Sequence, residues 1–219
     1  MTDAPLRAAD VTVLHDLLLQ DAAWPRQRRP DSGQPLWLWI QTNHHNNCQL
    51  WLEEDLARRT QVADAEIAAN KRAIDGYNQA RNDATERVDE ILLTALGLVD
   101  AVSARTDTPL ARVPEGARLN SETAGSMIDR LSIMALKIHA MDVQAQRGDV
   151  DEEHRAHART RWERLRQQRQ DLADCLDALL DDCARGRAYF KVYRQFKMYN
   201  DARFNPALVA ERQQAGGQR

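Results

Sequence analysis

Residues 36–59 read LWLWIQTNHHNNCQLWLEEDLARR. In this run His44, Asn47, Trp51, Glu54 and Arg58 recur at steps of three or four, so one helix face carries all five, with Trp37 and Ile40. Burying such polar groups is costly unless they are paired or bind something. The stretch therefore predicts helices around a polar interior.

The rest of the chain agrees with helices. Its 219 residues suffice for one domain with a real core. Aromatics are 5%, and nine Gly with seven Pro are few for this length, which favours long helices over a many-turned β fold. The expectation is an all-α, antiparallel bundle of five to six helices, three of them long. Residues 1–9 and 207–219 read as flexible ends around a single helical-bundle domain at 10–206.

Within that frame, a first helix is expected over Asp10 to Trp24, before Pro25, Pro30, Gly33 and Pro35. A second runs from Leu36 to Arg59 and a third from Asp64 to Ser103. Pro109, Pro114 and Gly116 mark a loop. Asn120 or Ser121 then caps a fourth helix that ends near Gly148. A fifth runs from Asp151 to Arg185, closed by Gly186, and a short sixth from Arg187 to Asn200.

Charge and motifs exclude several function classes. A net charge of −3 argues against a nucleic-acid binder. No segment approaches the ~20 apolar residues of a membrane span. The start, MTDAPLRAADVTVLHDLLLQD, lacks the basic start and apolar stretch of a secretory signal, so a cytoplasmic location is expected. Cys48, Cys175 and Cys183 have no metal-type spacing and read as ordinary thiols. His44 and His45 lack a second His at i+4, and no phosphate loop or nucleophile elbow is present.

Three further clusters of polar residues could carry chemistry. On helix three, Ile67, Ile74, Tyr77, Ala84, Val88, Ile91, Leu92 and Ala95 form an apolar stripe. Lys71, Asp75, Asn78, Asn82, Glu86 and Asp89 lie beside it, and Arg72, Gly76, Gln79, Asp83, Arg87 and Glu90 face solvent. The polar stripe is either a cleft wall or a solvated flank with pairs such as Lys71–Asp75. Helix four is apolar on two sides, so Asp129, Arg130 and Lys137 are expected to be partly buried and paired. Helix six brings Tyr193, Arg194, Lys197, Tyr199, Asn200 and Asp201 together, a set suited to a ring-bearing anion. Glu86-Arg87-Val88-Asp89 places two carboxylates one turn apart, as in helical Mg²⁺-dependent nucleotide pyrophosphohydrolases. The upstream Glu-x-x-Glu pair of those enzymes is missing. Asp174, Asp177, Asp181 and Asp182 crowd the end of helix five, where the dipole repels them, and the basic segment that follows is expected to neutralise them.

Several strings in order carry a family resemblance: His44-x-x-Asn47-x-x-Leu50-Trp51-x-x-Glu54-Asp55, Lys71-x-x-Ile74-Asp75-x-x-Asn78-Gln79-x-Arg81-Asn82-Asp83, Ser121-Glu122-Thr123-x-Gly125-x-Met127-Ile128-Asp129-Arg130-Leu131-Ser132-Ile133, Leu136-Lys137, and Tyr193 to Asp201. Over about residues 40–206 the chain resembles the bacterial helical family catalogued as domain of unknown function 4254. The resemblance implies an association with glycosyltransferases of cell-surface polysaccharide synthesis and supplies no catalytic residues. Its motifs coincide with the polar stripes.

The expectation is a cleft for a phosphorylated small molecule of the nucleotide or nucleotide-sugar class. Lys71, Arg130, Lys137 and Lys197 would hold the anion, while Asn47, Asn78, Asn82 and Asn200 would read polar edges. Glu54, Asp75, Asp89, Glu122 and Asp129 would orient hydroxyls, hold a divalent ion such as Mg²⁺, or act as base. His44, Arg58 and Tyr193 complete the binding set. Two alternatives stand beside it. One is a hydrolase or transferase with Asp89, Asp129 and Glu122 as catalytic groups. The other is a non-catalytic partner or scaffold of a glycosyltransferase that uses Leu38, Leu52 and Leu56 on the outer face of helix two.

Overall fold

The computed structural model describes residues 6–26, 33–196 and 201–216. Among them the fold is an all-α bundle: α1 Ala8–Gln20, α2 Pro35–Leu56, α3 Asp64–Ala95, α4 Ala124–Ala145, α5 Glu152–Ala184 and α6 Pro206–Gly216. Two short strands, β1 Arg118–Leu119 and β2 Ala188–Tyr189, pair in parallel.

Helix ends follow local chemistry. Pro35 opens α2, where its missing N–H costs nothing. Thr123 caps α4 by accepting from the Ser126 N–H at 3.1 Å, and Asp151 caps α5 by accepting from His154 at 2.8 Å. The N-terminus of α1 is capped in trans, since the Ala8 N–H donates to Asp177 Oδ1 at 2.8 Å. α3 stops at Ala95, short of the expected Ser103. Gly97 takes φ +71 there and sends Leu98 and Val99 back into the core.

Helices α2 and α3 form one antiparallel hairpin and α4 and α5 another. Asn70 reaches Glu53 near the first turn, whereas Thr85 receives Asn43 farther along, which fixes opposite directions for α2 and α3. The main core gathers Val11, Ile40, Val88, Leu93, Ile128, Leu131, Leu176 and Phe190. A smaller cluster holds Leu18, Trp24, Cys48 and Leu136.

The expected sixth helix over 187–200 does not form in its described part. Gly186, at φ +69, turns the chain, and the carbonyls of Arg187 and Tyr189 accept from Arg118 and Asn120 at 2.9 and 2.8 Å. Those carbonyls serve a neighbouring strand rather than a helix. Ala188, Phe190 and Val192 are buried while Lys191 and Tyr193 are exposed, a period of two. A helix, α6, forms farther on instead and runs from Pro206 into the stretch read as a flexible end.

Charge placement also differs from expectation. Glu90, expected to face solvent, is buried and held by Arg87, by Arg194 at 2.6 Å and by Arg105 at 3.6 Å. Arg194 also donates to Glu86 at 2.8 Å and to the Ala104 carbonyl at 2.7 Å, clamping the segment after β2 onto α3. The acidic end of α5 is neutralised by Arg187 on Asp182, as expected of the following segment, and also by Arg7 on Asp181 and the α1 N-terminus on Asp177.

Gly125 is where α4 touches α3. A Cβ there would lie 2.5 Å from the Thr85 carbonyl and 2.9 Å from Asp89 Cγ. Gly125→Ala is expected to destabilise by about 1–3 kcal/mol. Gly76→Ala, with nothing within 4 Å of the added methyl, is expected to stabilise α3 by up to ~1 kcal/mol. Denaturant melts of the two variants check both.

Candidate functional site

The polar interior predicted from α2 is present, and Asp129 is its hub. Asp129 Oδ1 accepts from Asn43 Nδ2 at 2.8 Å and from Asn47 Nδ2 at 2.9 Å. Arg81 Nε stands 3.9 Å from the same oxygen. Three helices thus meet at one carboxylate: Asn43 and Asn47 from α2, Arg81 from α3, Asp129 from α4. The i, i+4 spacing of Asn43 and Asn47 stacks their amides, and Asn47 also donates to Asn43 Oδ1 at 3.3 Å.

A hydrogen-bond chain runs inward from this hub. Asn47 Nδ2 donates to Ser132 Oγ at 3.0 Å, and Ser132 Oγ lies 2.7 Å from His44 Nδ1. Each ring nitrogen of His44 thus has a partner, Nδ1 the Ser132 hydroxyl and Nε2 the Cys48 thiol. Nε2 lies 3.7 Å from Cys48 Sγ, which also accepts from Trp24 Nε1 at 3.2 Å. His15 of α1 stacks on His44 with ring centroids 4.4 Å apart. Neither ring nitrogen of His15 has a partner. Burial holds His15 well below its ordinary pKa and lowers His44 to about 3, so both rings stay neutral. Burial pushes the Cys48 thiol up to about 12, which makes it a structural thiol.

Outward from the hub opens a cleft of about 320 Å³ between α2, α3 and α4. Asn47, Trp51, Glu54 and Asp55 line it from α2, Arg58 from just past its end, Asn78 and Arg81 from α3, Ile133 and Leu136 from α4. Four residues expected at the site therefore share one hollow: Asn47, Glu54, Arg58 and Asn78. Glu54 and Arg58 pair at 3.0 Å near the rim. Arg81 is only weakly compensated. Its Nε is buried without a hydrogen bond, and its one donated bond goes from Nη2 to Asn82 at 3.2 Å. A guanidinium with unused donors at a cleft wall suits an anion.

Other expected residues lie elsewhere. Lys71 and Asp75 form an exposed i,i+4 pair, the solvated-flank alternative for that part of the stripe. Arg130, expected to be partly buried, is exposed and pairs with Glu122 on the surface. Lys137 is exposed too and faces a second hollow, between α4 and α5. Helix four buries its apolar residues and leaves these long cations at the rim, where water solvates them. Asn82 is drawn aside as the acceptor of Arg81. His44 is sealed in the core. Tyr193 is exposed at the far end of the bundle's β2 segment, while Lys197 and Asn200 lie outside the described residues.

Asp89 is 3% exposed and accepts from the Gly125 N–H at 2.6 Å, so it ties α3 to the start of α4 and does not line the cleft. Burial raises its carboxyl to about 7. The Glu86–Asp89 pair is not a metal site here. Glu86 is bound by Arg194 and the Gln195 N–H, and Asp89 by Gly125. Among the described residues no three His, Cys, Asp or Glu side chains are grouped to hold a metal ion, so the Mg²⁺ expectation finds no fitting ligand set.

The residue patterns did not single out Asn43, Thr85, Ser132, Arg81 or His15. Asn43 is one turn before Asn47, a readable signal, and Arg81 sits in a string quoted for the resemblance. Ser132 sits in another of those strings, whereas His15 had no signal, because it lies on a mainly apolar face.

These features define a class first: a helical bundle with a hydrogen-bonded polar seam that opens into a cleft. The chain belongs to the family described as Protein of unknown function (DUF4254), matched over residues 37–192. That span runs from α2 to the segment after β2 and excludes α1, α6 and the string from Tyr193 to Asp201. No curated protein and no solved structure matches the chain. No helix among the described residues is long and apolar enough to cross a membrane.

The buried ionisable groups predict opposing pH effects. Asp89 binds its proton more tightly folded than unfolded, so stability falls as pH rises from about 4 to about 7. Asp89→Asn keeps an oxygen for Gly125 and should flatten that fall. His15 and His44 resist protonation in the fold, so their contribution is full above pH ~6.5 and is lost as pH drops below it. His15→Leu should weaken the acid loss without lowering stability at pH 8. Melting temperatures of the two variants between pH 4.5 and 8 check both signs.

Proposed function

We propose that the protein binds a phosphorylated small molecule, of the nucleotide or nucleotide-sugar class, in the cleft between α2, α3 and α4. The reading rests chiefly on Arg81, whose guanidinium lines the cleft with its Nε unbonded and with Asp129, already engaged by two amides, 3.9 Å away. Arg81 takes the phosphate. Asn47 and Asn78 read polar edges, Glu54 accepts from hydroxyls, and the half-buried Trp51 offers an apolar face. Asp129 acts from behind as the group that positions Asn47 and Arg81. Such a ligand suits a cytoplasmic role in surface-polysaccharide synthesis.

The test is a thermal-shift series with nucleotides, nucleotide sugars and inorganic phosphate. A ligand at 100 times its Kd adds about 2.7 kcal/mol, a shift of several degrees. Arg81→Ala should abolish the shift, while Lys71→Ala, in an exposed pair, should preserve it. A flat response to every compound overturns the reading.

A docked protein partner is the second reading, favoured by Leu52 and Leu56, exposed one turn apart on α2. Leu52→Asp with Leu56→Asp should then release a co-purified partner without lowering the melting temperature.

A further inference from the structure

A second hollow of about 310 Å³ lies between α2, α4 and α5, on the other side of Trp51. Its apolar surface comes from Trp51, Met141 and Leu165. Around it stand three cations, Lys137 from α4 and Arg161 and Arg164 from α5. All three are exposed, and none makes an ion pair or a side-chain hydrogen bond among the described residues. Elsewhere on α5 the arginines are engaged: Arg155 and Arg159 hold Glu152, Arg169 holds Asp16, and Arg166 lies over the Trp162 ring. No acid lines the hollow, although Glu163 and Asp142 adjoin lining residues in sequence.

Three uncompensated like charges repel one another and raise the local concentration of anions. Two of them are guanidiniums, which grip phosphate oxygens through paired N–H donors. The apolar floor adds what a bare anion cannot use: an indole, a thioether and a leucine in reach of an apolar body. The volume is at the lower end for small-molecule sites.

We infer that this hollow is a separate binding site for a small phosphate ester with an apolar body, held by Lys137, Arg161 and Arg164 over the Trp51–Met141–Leu165 floor. It does not rest on the cleft reading, since Arg81, Asn78 and Glu54 take no part in it. Trp51 is the wall common to both hollows.

The probe is 1-naphthyl phosphate, titrated calorimetrically into the full chain, with 1-naphthol and inorganic phosphate as its two halves. The ester should bind about tenfold or more tightly than either half, and added salt should weaken it. Arg161→Ala with Arg164→Ala should reduce affinity about tenfold or more, with an unchanged melting temperature because both side chains are exposed. Arg81→Ala should leave naphthyl phosphate binding intact, so this site and the cleft succeed or fail separately. Equal binding of naphthol and its phosphate would reduce the hollow to an apolar patch and overturn the inference. So would undiminished binding by the double variant, or loss of binding in Arg81→Ala.

Discussion

One carboxylate oxygen holds three helices in register. Asp129 Oδ1 receives an amide proton from Asn43 and another from Asn47, with the Arg81 guanidinium close by. A charge half withdrawn from water is stable only if its partners are already in place. Sliding α2 by one residue would rotate both amides away, since they meet Asp129 only because they are one turn apart. The polar seam therefore sets the register of α2 against α4, a task that apolar packing performs loosely.

The same seam separates a dry side from a wet one. Inward, the chain through Ser132, His44 and Cys48 ends against Trp24 and His15, where every titratable group stays neutral. Outward, Asn47 and Arg81 reach the cleft. Most other cations have a carboxylate or a carbonyl, as Arg194 does with Glu86, Glu90 and Ala104. Against that background Arg81, with open donors, and the unpaired Lys137, Arg161 and Arg164 stand out because they line hollows. Both hollows border Trp51, so Arg81 and the Lys137–Arg161–Arg164 group lie on either side of one indole.

Much of the fold was legible. The three-and-four spacing of residues 36–59 identified α2 and its polar interior, and caps or prolines marked most helix starts within a few residues. The strand at Ala188–Tyr189 was also readable, in the alternation of Ala188, Phe190 and Val192, but three apolar positions among basic residues look equally helical until a neighbour accepts the backbone hydrogen bonds. The site was legible only in part. Asn47, Glu54, Arg58 and Asn78 share the cleft because each lies on a face turned toward the α2–α3–α4 junction. Lys71 and Asp75 occupy the same stripe as Asn78, yet they are exposed and pair with each other in water.

Periodicity and capping, which depend on neighbours within a turn or two, determined from the sequence alone that this protein is helical and that α2 buries polar groups. Which polar groups pair is a long-range matter. Asp129 finds Asn43 across 86 residues, and Arg194 finds Glu86 across 108. Local spacing says that a charge is turned inward but not what stands opposite. Only the packed bundle decided that Asp89 is sealed against Gly125, that Glu90 is buried by three arginines, and that Arg81 is left with donors to offer. A charge's worth depends on the distance to its partner and on the water between them, and both exist only once the helices have met.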